Sequence, residues 1–95
     1  MYRFTLFVTG QSPRSTRALE NLRALGETVL GGDYVLELVD VTEDPAAAEE
    51  NQVMATPTLI KHAPDPVRRV TGDLADRDAV ALALGLPRGR RTGDE

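Results

Sequence analysis

The sequence predicts an α/β domain whose elements run strand, helix, strand, helix, strand, strand, helix. Three observations carry that expectation. Short segments rich in β-branched and aromatic residues alternate apolar and polar positions with a period of two, the pattern of a strand packed on one face. Two cap-and-proline pairs, Ser12-Pro13 and Asp44-Pro45, mark helix starts, because a short polar side chain accepts a free amide and proline has none to lose. Gly31-Gly32 closes the longer of those helices, glycine being the residue that tolerates the left-handed turn at a helix end.

Taken in order, residues 2–9 form the first strand, with Phe4, Leu6 and Val8 on one face. Gly10 and Gln11 end it, and the helix after Ser12 carries Ala18, Leu22, Leu25 and Val29 as one stripe. Asp33 leads into "YVLELVDV", where Tyr34, Leu36 and Leu38 alternate with Val35, Glu37 and Val39. Both faces of that strand are mostly apolar, so it is expected in the centre of the sheet. The helix opened by Asp44 and Pro45 is short, about two turns. Residues 58–62 and 67–71 read as a hairpin across Ala63-Pro64-Asp65-Pro66, with Val67 and Val70 available to the core. Asp73 or Asp76 caps a last helix over 77–84. The end, "PRGRRTGDE", is polar and charged, so residues 1–87 are expected to form one domain and 88–95 a disordered tail.

A right-handed βαβ unit followed by a helix, a hairpin and a closing helix is a thioredoxin-like topology. The stretch "VMATPTLI" suits it, since such domains bring a cis-proline loop, here Pro57, against a redox dithiol. Yet the 95 residues include no cysteine. Thiol chemistry is therefore excluded.

Composition narrows the alternatives. A net charge of -4 argues against a nucleic-acid binder, which needs a basic face to displace counterions. No apolar run approaches the ~20 residues of a membrane span, so no membrane role is expected and the cytoplasm is the default location. Ser12 and Ser15 stand where a redox cysteine would, but a serine needs a base beside it, and the one histidine, His62, falls on another strand. Capping accounts for Ser12, and no catalytic residue is assigned. Glu43, Asp44, Glu49 and Glu50 lack the alternating loop pattern of a hard-cation site, a lone histidine makes none, and "LGGD" follows a helix where a phosphate loop would open one. Hence no metal and no cofactor are expected.

The basic residues are the remaining candidates. Arg68 and Arg69 are neighbours on a strand and must point to opposite faces. With Lys61 and Arg17 they offer the makings of a basic patch for an acidic partner.

Three stretches, "LFVTGQSPRSTRALENL", "VLELVDVTEDPAAAEENQVMATPTLIK" and "PDPVRRVTGDLADRDAVALALGL", resemble the KaiB family of circadian-clock proteins over nearly the whole chain. The resemblance implies a non-enzymatic binding module that docks on a KaiC-like hexameric ATPase and autokinase, in circadian timing or a related stress response. The alternative from another class is a standalone thioredoxin-like sensory domain that docks on a histidine kinase. The resemblance also implies a metamorphic protein. One state is thioredoxin-like and binds; the other rearranges the C-terminal half and self-associates. Implied partner-binding positions are Arg17, Lys61, Arg68 and Arg69, and implied switching positions are Pro57, Pro64, Pro66, Ala83 and Gly85. Asp65 interrupts the family's proline run, Gln52 replaces a basic residue, and the chain ends without the family's acidic, aromatic segment. These departures mark a divergent member.

The segment "AVALALGL" bears on that switch. Val80, Leu82, Leu84 and Leu86 alternate with small residues, a strand period, whereas alanine and leucine are strong helix formers. Propensity favours the helix, and with it the thioredoxin-like state as a monomer; a homo-oligomer belongs to the alternative arrangement.

Overall fold

The computed structural model describes residues 1–87, and the 88–95 tail lies outside the described residues. Seven elements follow the expected order: β1 (Tyr2–Val8), α1 (Pro13–Leu30), β2 (Tyr34–Asp40), α2 (Pro45–Glu50), β3 (Thr58–Ala63), β4 (Arg68–Thr71) and α3 (Arg77–Leu84). The caps form as the residue types dictate. Ser12 Oγ accepts the Ser15 amide at 3.2 Å, Asp44 accepts that of Ala47 at 3.2 Å, and Asp76, not Asp73, accepts that of Ala79 at 3.1 Å.

The sheet runs β2-β1-β3-β4, with β1 parallel to β2 and antiparallel to β3, and β3 antiparallel to β4. This corrects the expected placement of β2, which is an edge strand; β1 and β3 are central. β2 is apolar on both sides for a different reason. Tyr34 and Leu36 pack on the main core while Val35 and Val39 line a groove on the opposite face, and Val35 and Leu38 stay half exposed. Val67 also departs from expectation. It is exposed, because strand pairing begins only at Lys61 opposite Arg68, one residue beyond it.

The core lies between the sheet and α1 with α3. Phe4, Leu6 and Val8 of β1 meet Ala18, Leu22, Leu25 and Leu30 of α1, then Leu59, Leu74, Val80, Leu84 and Leu86. The helical period places Val80 and Leu84 inward and Leu82 outward. Phe7 and Ile60 are buried on the opposite face of the sheet.

One close approach sets the fit of α1 against β2. A Cβ added at Gly26 would overlap the Tyr34 ring, itself packed edge-on to Phe4. In an open helix position, Gly→Ala gains about 1 kcal/mol. Here overpacking costs roughly 1–3 kcal/mol, so Gly26→Ala is expected to leave the protein no more stable or less stable. A rise in the urea midpoint would show that Tyr34 moves aside freely.

Candidate functional site

In a thioredoxin-like fold the chemistry sits where the N-terminus of α1 meets the loop before β3. Here that junction is built from hydroxyls. The Thr56–Pro57 bond is cis, and Pro57 is fully buried. The Thr9 and Thr56 hydroxyls share a hydrogen bond, Thr58 Oγ1 donates to the Ala55 carbonyl, and the Gly72 amide donates to the Pro57 carbonyl at 2.8 Å. The loop is thus tied to β1 on one side and to the end of β4 on the other.

Both serines are fully engaged in structure. Ser15 is buried, and its Oγ accepts from the Thr9 amide at 3.3 Å and from Ser12 Oγ at 2.9 Å. His62 Nε2 is hydrogen bonded to Thr5 Oγ1 at 2.8 Å. Thr9 directly follows β1, four residues beyond Thr5, roughly 13 Å along an extended chain. Among the described residues no histidine or carboxylate is hydrogen bonded to either serine hydroxyl.

Asp40 closes the junction. Its Oδ1 accepts from Thr42 Oγ1 at 2.7 Å, the Gly10 amide at 3.1 Å and the Thr42 amide at 3.0 Å. Those bonds, the Thr42 hydroxyl first, hold its carboxyl below the usual carboxylate range. A depressed folded pKa means that this anchoring is present above the unfolded value and is lost as pH falls through the folded one. The group organises the turn after β1.

The four basic candidates do not form one patch. Lys61 is 1% exposed, so it contributes nothing to the surface, which corrects the expectation that it joins Arg17 and Arg68 there. Its position explains why. Lys61 shares the face of β3 that carries Leu59, beneath the helices, and its Nζ donates to the Pro64 carbonyl at 2.9 Å. Arg17 is half exposed on α1 and pairs with Asp73 at 3.5 Å. Arg68 is exposed on β4.

Arg69, on the opposite face of β4, donates to the carbonyls of Asn51 at 2.7 Å and Gln52 at 3.2 Å. It caps the end of α2, where Gln52 takes a left-handed φ of 54°. Arg69→Ala is therefore expected to lower stability by about 1 kcal/mol, discounted for exposure. A melting curve identical to that of Arg68→Ala would reject the capping role.

The switching candidates lie apart as well. Pro64 and Pro66 are exposed in the β3–β4 loop, each after a cis bond; Ala83 is exposed on α3; Gly85 ends that helix with a φ of 69°. Sequence reasoning passed over Met54, 95% exposed in the loop before Pro57, and the free edge of β2 with Val35 and Leu38. A cavity of about 350 Å³ opens beside α2, lined by Phe7, Val35, Val39, Glu37, Asn51 and His62 among others. Among the described residues no group of side chains is placed to hold a metal ion, and no helix is long and apolar enough to cross a membrane.

Comparison with known proteins gives this arrangement a context. Residues 5–86 match the model of the KaiB domain. Over 85 residues the chain is 48% identical to the circadian clock oscillator protein KaiB of Parasynechococcus marenigrum, covering 90% of this chain and 82% of the relative. Among solved structures, the N-terminal domain of Synechococcus elongatus SasA superposes with a TM-score of 0.70 at 25% identity, over 85% of this chain and 78% of that one. Mitochondrial thioredoxin 3 of Saccharomyces cerevisiae superposes with a TM-score of 0.69 at 19% identity, over 88% and 76%. The thioredoxin-like fold is therefore shared with proteins of quite different sequence.

Proposed function

Because the chain belongs to the KaiB family, we propose that it is a non-enzymatic regulatory module that docks in the cytoplasm on a KaiC-like hexameric ATPase, in circadian timing or a related stress response. The observation that carries this reading is the hydroxyl-built junction. The position that bears a redox dithiol in thioredoxins holds serines committed to capping and a carboxylate committed to a turn. The groups left facing solvent suit a protein partner: the apolar Met54 loop, Arg68, the half-exposed Arg17 and the unpaired edge of β2.

We also propose that the thioredoxin-like arrangement is the monomeric, binding-competent state, and that self-association belongs to a rearranged C-terminal half. Pro57, Pro64, Pro66, Ala83 and Gly85 lie in or beside the segment that such a change would rebuild.

The test is a titration of the full chain against a KaiC-type hexameric ATPase. Arg68→Ala and Arg17→Ala are each expected to weaken binding about fivefold or more, with melting temperatures close to that of the parent. Affinities unchanged by both substitutions would remove these arginines from the interface. Binding to a histidine kinase and not to the ATPase would move the protein to the sensory-domain reading. Turnover in an insulin-reduction assay above the buffer rate would overturn the non-enzymatic assignment.

A further inference from the structure

Lys61 is the only lysine in the chain, and it is among the most deeply buried side chains. An ammonium removed from water needs compensation, ordinarily a carboxylate. Among the described residues the one ion pair is Arg17–Asp73, so no carboxylate partners it. Its hydrogen bond goes to the Pro64 carbonyl, at 2.9 Å, in the loop between β3 and β4. On its other side Nζ lies 4.0 Å from where a Cβ on Gly85 would stand, at the C-terminus of α3. The C-terminus of a helix carries a partial negative charge, although here the Gly85 and Leu86 amides already take the Leu82 and Ala81 carbonyls. A Cβ at Gly85 would be in ordinary van der Waals contact with the ammonium, so Nζ lies beside the helix end.

We propose that Lys61 is an internal latch: its buried ammonium fastens the C-terminus of α3 to the β3–β4 loop. Its charge is compensated only while both are docked. The stem of the side chain fills space beneath α3, and the charged tip fixes how far the helix end descends toward the loop. When α3 lifts, the ammonium returns to water and the latch opens. Amine chemistry at this single lysine therefore proceeds from the undocked state. An acyl group, which removes the charge and adds bulk, keeps α3 from redocking.

The full chain provides its own control, since its only other amine is at Met1, which is exposed. Labelling with an acetyl N-hydroxysuccinimide ester, followed by mass spectrometry, is expected to modify Met1 at the same rate in buffer and in urea. Lys61 should react about a hundredfold more slowly in buffer than in urea, as a group reached only through local opening does. Lys61→Met keeps the length and removes the charge. In that variant the Gly85 and Leu86 amides are expected to exchange hydrogen about tenfold faster while the Leu6 and Phe7 amides of β1 do not change. Lys61 labelled equally fast in buffer and in urea overturns the proposal, as does a folded Lys61→Met variant with unchanged α3 exchange. Equal acceleration in α3 and β1 would reduce Lys61 to a packing residue and also overturn it. If Lys61→Met does not fold, the labelling of the parent chain decides alone.

Discussion

Leu84→Ala is expected to lower the free energy of unfolding by about 3 kcal/mol, within the range for a fully buried leucine. Leu82→Ala, two residues earlier, is expected to change it by less than about 0.5 kcal/mol. Leu84 is 0% exposed and Leu82 is 84% exposed. The contrast depends on the helical period of α3, which turns Val80 and Leu84 toward the core and Leu82 toward solvent. A strand over the same residues would align Val80, Leu82, Leu84 and Leu86 on one face. Urea unfolding of the two variants therefore reports which arrangement the segment holds in solution. Similar losses from both would mean that the strand-like arrangement is populated; a large loss from Leu84→Ala alone is the helical signature.

The same segment shows why most of the fold was legible in the sequence. Helix starts were readable because Ser12, Asp44 and Asp76 do one local job, accepting an amide two or three residues ahead, whatever the tertiary context. The α1 stripe was readable because Ala18, Leu22 and Leu25 recur at the helical period against a single partner, the sheet. Strand order was harder. An apolar residue on each face of β2 reports that there is something to pack against on both sides, which holds for an edge strand flanked by helices as well as for a central one. Val67 was misplaced because its strand register depends on where Arg68 meets Lys61, a long-range fact that alternation alone does not contain.

The candidate site was less legible, for a related reason. Sequence position shows that Arg68 and Arg69 face opposite ways, and they do. It does not show that Arg69 reaches the end of α2, because those partners are 17 and 18 residues away and are backbone carbonyls. Lysine is almost never fully buried, so the ordinary reading of Lys61 was an exposed charge. The signal that it differs was faint: it is the only lysine in the chain, and it sits between apolar strand residues and a proline loop.

That difference sets up the second large effect. Lys61→Ala is expected to cost about 2–4 kcal/mol, because truncating a fully buried side chain leaves a cavity that the surrounding core only partly closes. For a chain of this size each kcal/mol lowers the melting temperature by roughly 4–8 °C, so a fall of roughly 8–32 °C is the readable result. Arg68→Ala, on the paired position of β4 but exposed, is expected to shift melting by no more than a few degrees. A basic surface patch containing both residues predicts no such difference, with little stability lost at either and binding weakened at both. Melting curves of the two variants, followed by partner titration at a temperature where both are folded, separate the cases. If Lys61→Ala melts with Arg68→Ala and loses only affinity, the lysine faces solvent and the packing of α3 over β3 is wrong. If it melts far lower and the folded fraction binds as the parent does, the charge acts from inside the protein. In that case the proposed interface rests on Arg17 and Arg68 without the lysine.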